Sequence, residues 1–282
     1  MKKNEIDEFI ENSFRKIEKY FHKSITGFET EYIRQFRTEI KRLKVFLHLI
    51  NMESYDGLSY RITKRMKTIY GYFGIIRNLE IQIVRTKECA KRATHNIPAC
   101  YISILEKELQ YWKKLSLDFI DVAYDFENDK QQMMAELPDE LNKKSIKKFV
   151  HYTLYELNNL SGRTDDEALN SVRKFMEDIY YNYEFISPFF DEQQNKILNK
   201  KVIEECLEFF GEFRDRCVEL VFLQTFDTDK LNEPEKQLLK EMEDELLDEK
   251  NDIKNKLAAK LRSVNIPTVS LNGFAVADVD GE

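Results

Sequence analysis

Apolar residues recur every three or four positions along almost the whole chain. In residues 29–51 they fall at Phe36, Ile40, Leu43, Leu47 and Ile50, and in residues 166–187 at Leu169, Val172, Met176, Ile179, Tyr183 and Ile186. Residues 98–128 open at Pro98 and continue Ile102, Leu105, Leu109, Trp112; residues 232–262 open near Pro234 and continue Leu238, Met242, Leu246, Ile253, Leu257. This spacing gives a helix one apolar face, whereas the alternation that marks a strand is missing until the last stretch. The pattern predicts eight helices, near 3–23, 29–51, 57–92, 98–128, 138–160, 166–187, 193–226 and 234–262. Pro98 and Pro234 suit first helical turns, and Gly71 and Gly74 predict a bend in the third helix. From Ser263 to Glu282 the pattern breaks down around Pro267 and an acidic end, and a mobile tail is expected.

The helices divide four and four, and short motifs repeat at the same interval. Arg37-x-x-x-Lys41-x-Leu43 is followed by Gly74-Ile75-Ile76-Arg77-Asn78, and Arg173-x-x-x-Glu177-x-Ile179 by Gly211-Glu212-Phe213-Arg214-Asp215. The two leading arginines lie 136 residues apart and the two glycines 137. The expectation is an all-α chain of two four-helix bundle repeats with long antiparallel helices, related by a pseudo-twofold axis. The first repeat would span 1–135, the second 136–262, and the tail 263–282.

Composition narrows the chemistry. The 282 residues hold 8 Gly and 5 Pro, which suits helices better than Gly-rich loops. No Gly-x-x-x-x-Gly-Lys loop, Gly-x-Gly-x-x-Gly, His-Glu-x-x-His or Gly-x-Ser-x-Gly is present. Lys19, Val45, Arg92 and Lys148 stand three before the histidines, so the Glu-x-x-His pairs of a di-iron bundle are missing too. Cys89, Cys100, Cys206 and Cys217 form no Cys-x-x-Cys pair, and Cys89 and Cys206 fall on apolar faces as buried free thiols of a reducing cytoplasm. No stretch approaches the roughly 20 apolar residues of a membrane span, and the opening Met1-Lys2-Lys3-Asn4-Glu5-Ile6-Asp7 lacks the apolar run of a secretory signal. With no nucleophile–base pair and no metal set, a non-enzymatic protein without cofactor or metal is expected.

The net charge of −7 argues against a nucleic-acid binder, yet it is unevenly spread. Residues 1–135 carry 24 basic and 19 acidic residues, against 20 and 32 in 136–282. Residues 31–92 alone hold 14 basic and 6 acidic. One position past each core residue of the second helix lies a ridge of Arg34, Arg37, Lys41, Lys44 and His48, with Arg42 pointing elsewhere. Its counterpart reads Asn170, Arg173, Glu177, Tyr180 and Glu184. Like charges three and four apart repel, so the first ridge predicts an anionic partner with several charges, either a ligand or acidic helices of the same chain. The third helix adds Arg61, Lys64, Arg65, Lys67 and Arg77.

These residues together resemble the CHAD domain, the conserved histidine α-helical domain, a family of two four-helix repeats. Its first motif is matched by Arg34-Gln35-Phe36-Arg37-Thr38-Glu39-Ile40-Lys41-Arg42-Leu43-Lys44 and closed by Gly74-Ile75-Ile76-Arg77-Asn78-Leu79. Its second is matched from Leu169 to Tyr181 and closed by Gly211-Glu212-Phe213-Arg214-Asp215. The match runs over about residues 3–262. The resemblance implies binding of inorganic polyphosphate or another phosphate-rich anion in a basic groove, with Arg34, Arg37, Lys41, Arg42, Lys44, Arg77, Arg173, Lys174 and Arg214 as phosphate contacts.

The chain also departs from the family. Arg34 and Asn170 stand in place of the motif histidines, which removes any metal ligation they would imply, and Glu177 replaces a basic residue and would repel phosphate. Asp178 and Asp215 are expected to pair arginines such as Arg173 and Arg214. The favoured reading is a polyphosphate-binding protein of the bacterial cytoplasm, acting mainly through its first repeat. The alternative is a degenerate relative serving as a helical scaffold or protein-interaction module, with its basic residues paired internally. RNA binding is weaker still, since the basic stretch lacks aromatics spaced for base stacking. The acidic helix around Glu235–Glu249 would face solvent.

Overall fold

A computed structural model describes residues 1–52, 59–92, 97–120, 126–160 and 162–264. Ten α-helices run through them: α1 (Lys3–Gly27), α2 (Thr30–Asn51), α3 (Lys64–Arg92), α4 (Ala99–Phe119), α5 (Phe126–Glu136), α6 (Lys143–Asn159), α7 (Asp166–Ile186), α8 (Glu192–Ile197), α9 (Lys200–Thr225) and α10 (Glu233–Val264). Among the described residues there is no strand, only an isolated bridge between Lys2 and Glu140. The all-α class is therefore as the periodicity predicts. The tail expected from Ser263 lies outside the described residues, apart from Ser263 and Val264, which end α10.

Boundaries follow local chemistry. The side chains of Asn142, Asp165 and Asn199 accept hydrogen bonds from the backbone N–H groups of Ser145, Ala168 and Val202, at 2.9, 2.9 and 3.1 Å. These caps start α6, α7 and α9 by satisfying amides that the helix itself leaves free. The predicted helix 138–160 accordingly begins only at Lys143. The predicted helix 57–92 begins at Lys64, because Asn51 accepts from the Tyr60 amide and donates to its carbonyl, at 2.7 and 3.2 Å, holding the preceding segment against the end of α2. The predicted helix 98–128 divides into α4 and α5, and 193–226 into α8 and α9, since side-chain spacing carries no signal of a short break. Helix α3 runs without interruption through Gly71 and Gly74, and Gly74 has a use beyond the expected bend, described below.

Helix α2 packs on α1, α3 and α7; α7 packs on α6, α9 and α2; α3 packs on α4, and α9 on α10. The two helices bearing the ridges therefore lie against each other at the centre. The predicted stripe of Phe36, Ile40, Leu43, Leu47 and Ile50 is buried throughout, as are Leu169, Val172, Met176, Ile179 and Ile186. Phe36 meets Phe73 edge-on at 5.2 Å between centroids, and Phe21 meets Phe126 at 4.9 Å, which locks α1, α2, α3 and α5 around one aromatic centre. Across the α2–α7 contact, the buried Asn182 Nδ2 donates to the Val45 carbonyl at 3.0 Å. Cys89 and Cys206 are buried free thiols.

A second tie joins α3 to α9 and α10. Arg85 pairs Glu219 at 2.9 Å and Glu249 at 2.8 Å, while Arg216 pairs Glu219 at 3.1 Å and also Glu249. Two carboxylates thus alternate with two guanidinium groups in a half-buried ring. Glu245 likewise pairs Arg92 at 3.0 Å, and Glu235 is buried with its carboxylate accepting from the Cys100 amide at 2.8 Å. The acidic face of α10 is therefore divided: Glu235, Glu245 and Glu249 meet α3, α4 and α9, which present cations and a helix-start amide, while Glu241, Asp244 and Asp248 face solvent as expected.

Candidate functional site

The ridge of α2 splits into residues that the protein neutralises itself and residues that it does not. At its start, Arg34 forms a two-pronged pair with Glu31, at 2.8 and 2.7 Å. The hydrogen bonds of Arg34 and Gln35 hold the Glu31 carboxyl down at about 2, so this pair persists across the ordinary pH range.

Arg37 is half-buried. Its Nη1 donates to the Tyr70 carbonyl at 2.5 Å, and its guanidinium lies over the Tyr70 ring at 4.0 Å from the centroid. This position exists because residue 74 has no side chain: a Cβ on Gly74 would stand 2.2 Å from Arg37 Nη1 and 2.9 Å from its Cζ. Burial lowers the Arg37 pKa, and the charges of Arg214 and Arg77 lower it further. Arg77 of α3 and Arg214 of α9 are thus each close enough to repel Arg37 of α2. None of them forms an ion pair with a carboxylate among the described residues, and the Arg77 Nε is buried without a hydrogen-bond acceptor. Lys44, exposed two turns on from Arg37, lies 5.8 Å from the Tyr70 centroid.

Lys41 is placed otherwise. Its Nζ meets Glu177 Oε1 of α7 at 2.9 Å, and the same oxygen accepts from Arg173 Nη1 at 2.6 Å. Arg173 also donates to Asn170 Oδ1 at 3.0 Å. Glu177 therefore satisfies two of the expected phosphate contacts at once. Arg42 points away from this cluster, its guanidinium 5.7 Å from the Phe9 centroid on α1. Lys174 is exposed on α7. Arg214 is exposed on α9 and shares with Arg173, Asn170, Phe213 and Lys250 the lining of a cavity of about 310 Å³ between α7, α9 and α10. A larger cleft of about 780 Å³, lined by Glu29, Glu80 and Glu106, holds no member of the ridge.

Asp178 does not pair Arg173 as expected. It is buried and shares a hydrogen bond of 3.0 Å with His48 Nδ1, while the His48 ring packs edge-on to Phe149 at 5.5 Å. Burial disfavours the charged imidazole, but the hydrogen bond and charge of Asp178 outweigh it and raise the His48 pKa; burial also raises that of Asp178. Both shifts say that the pair holds one proton more firmly than a free imidazole does. Asp178 is thus drawn to the histidine because it faces the end of α2, while Glu177, one residue earlier, faces Arg173.

Two tyrosines join the cluster without having been anticipated. Tyr70 supports Arg37, and burial followed by the charge of Glu177 pushes the Tyr181 phenol up, so that it remains a neutral donor. Tyr181 closes the second matched motif, whereas Tyr70 is marked in the sequence only as an aromatic in a helical pattern. Among the described residues no group of three or more His, Cys, Asp or Glu side chains could hold a metal ion. No described helix is long and apolar enough to cross a membrane.

The model of the CHAD domain family matches residues 8–224. The chain belongs to the CHAD domain family. A CHAD domain from the plant Ricinus communis has a similar fold, with a TM-score of 0.68 and 14% identity over 95% of this chain and 94% of that one. So does PptA from Streptomyces chartreusis, with a TM-score of 0.65 and 10% identity over 93% of this chain and 99% of that one. No curated protein matches the chain in sequence. Within this CHAD domain the motif glycine and the motif arginines meet directly in the first half, where Gly74 clears space for Arg37. In the second half a Cβ on Gly211 would meet nothing within 4 Å, and Arg173 turns to Glu177 instead.

Proposed function

We propose that this CHAD protein is a non-enzymatic binder of inorganic polyphosphate or a similar phosphate-rich anion, held on Arg37, Arg77 and Arg214 with Lys44 beside them. The observation that carries this reading is that Arg77 of α3 and Arg214 of α9 both act on the half-buried Arg37 of α2, with no carboxylate in an ion pair with any of the three among the described residues. Such a cluster is repulsive when empty, and a multivalent anion relieves it through forked, charge-assisted hydrogen bonds. The Gly74 clearance supports the same conclusion, because it seats the Arg37 guanidinium on Tyr70 of α3, the helix that also carries Arg77. The buried thiols suit a reducing compartment, and we place the protein in the bacterial cytoplasm.

The test is a titration with long-chain polyphosphate at two salt concentrations. Binding should weaken steeply with salt, and Arg77→Ala and Arg214→Ala should each lower affinity about tenfold and reduce the salt slope by about 0.7. Absence of binding at low salt would overturn the proposal. It would favour the second reading, a helical scaffold, for which the pairing of Lys41 and Arg173 by Glu177 and of Arg34 by Glu31 is the supporting observation.

A further inference from the structure

The offset of 136 residues that relates Arg37 to Arg173 also relates Lys41 to Glu177, and it is these two residues that touch. Equivalent positions of the two ridges meet face to face at the α2–α7 contact. Were residue 177 basic like Lys41, two or three cations would crowd one point, and only an anion placed between them would stabilise it. Glu177 places a carboxylate there from within the chain. Its Oε1 lies 2.9 Å from Lys41 Nζ and 2.6 Å from Arg173 Nη1, the distances a phosphate oxygen would take, and its side chain is only 13% exposed.

We propose that Glu177 is a built-in anion that closes this end of the groove and confines a bound polyphosphate to the Arg37–Arg77–Arg214 cluster. The residue sets how many phosphates the protein engages, and so sets its response to chain length. A short polyphosphate fills the open cluster. A longer one extends beyond it without gaining Lys41 or Arg173, because its phosphates would have to displace a carboxylate already held by both cations. This rests on the polyanion reading above.

Tripolyphosphate and long-chain polyphosphate, each titrated over a series of salt concentrations, provide the test. The unaltered protein should give the same salt slope for both. Glu177→Gln frees two cations, so the slope for the long chain should steepen by about 1.4 and its low-salt affinity should rise tenfold or more. Tripolyphosphate should gain less than about threefold, from the lost negative charge alone. Equal gains for the two anions, or an unchanged long-chain slope, would overturn the inference. Should Glu177→Gln fail to fold, Lys41→Gln in the otherwise unaltered chain decides. Its long-chain slope should stay unchanged if Glu177 holds Lys41 in the bound state, and a slope shallower by about 0.7 would mean that the anion displaces Glu177. Binding by the unaltered protein with no effect of Glu177→Gln removes this inference alone. No binding by any variant at low salt removes both it and the polyanion reading.

Discussion

Adding a single methyl group to Gly74 should change sign in its effect when Arg37 is removed. In the unaltered chain, the new Cβ would stand 2.2 Å from Arg37 Nη1, 2.9 Å from Cζ and 3.2 Å from Nη2. The guanidinium must move, and it then loses the 2.5 Å hydrogen bond to the Tyr70 carbonyl and the stack on the Tyr70 ring. A charge-assisted hydrogen bond contributes about 1.5–3 kcal/mol and a cation–π contact about 0.5–2 kcal/mol. Alanine in place of glycine within a helix returns about 1 kcal/mol. Gly74→Ala should therefore destabilise by about 1–4 kcal/mol. With Arg37→Ala already in place there is nothing left to displace, and Gly74→Ala should stabilise by up to about 1 kcal/mol. Gly211→Ala, whose Cβ meets nothing within 4 Å, should stabilise the unaltered chain by a similar amount. The assay is urea unfolding followed by circular dichroism, with the two substitutions made singly and together. Equal effects of Gly74→Ala with and without Arg37, or stabilisation of the unaltered chain, would refute the claim that this glycine exists to admit the arginine.

Two further outcomes concern buried charge. The His48 pKa is raised, so the pair's stabilising contribution is full below the unfolded value near 6.5 and is lost as pH rises through the higher folded value. An NMR titration should place the His48 midpoint above 6.5, and Asp178→Asn should bring it down; a midpoint at or below 6.5 would contradict the 3.0 Å bridge. In the ring of Arg85, Arg216, Glu219 and Glu249, replacing the buried Glu219 by Gln leaves two guanidinium groups on one carboxylate. That change should destabilise by about 3 kcal/mol in urea unfolding, while Glu249→Gln, at a more exposed carboxylate, should have a smaller effect. Equal losses would mean that burial does not set the strength of this network.

The helical class and the core stripe of α2 were legible because both depend on period alone. The five predicted residues from Phe36 to Ile50 are all at most 1% exposed. Breaks were not legible. The start of α3 depends on Asn51 holding Tyr60, and the division between α8 and α9 depends on the cap at Asn199, which are contacts rather than periods. The same limit applied to the ridge. Its one-dimensional order put Arg34, Arg37, Lys41 and Lys44 together as a row of equals, whereas in space Glu31, Tyr70 and Glu177 take three of them in different ways. The contact between Lys41 and Glu177 was nonetheless encoded, since the two occupy equivalent ridge positions of helices that pack against each other. The close approach of Arg37 to Gly74 was not legible, because a glycine inside a helical pattern carries one sequence signal for two causes, a bend or a close neighbour.

The charge of −7 acquires a different weight once its carriers are placed. Glu219, Glu245 and Glu249 are engaged with Arg85, Arg92 and Arg216 around α3, α9 and α10, and Glu177 of the second ridge meets Lys41 of the first. Exposed charges more than about 8 Å away are largely screened at physiological ionic strength. The net charge then acts mainly on encounter at low salt, where an acidic surface repels an approaching polyanion, while local pairs decide how tightly it is held. Added salt relieves the first effect and weakens the second, so the measured slope of the unaltered protein should be shallower than its number of phosphate contacts alone would give. The repulsive part is common to a variant and its parent when only one groove residue changes. Differences in slope between Glu177→Gln, Lys41→Gln and the unaltered chain therefore count phosphates engaged, where the absolute slope does not.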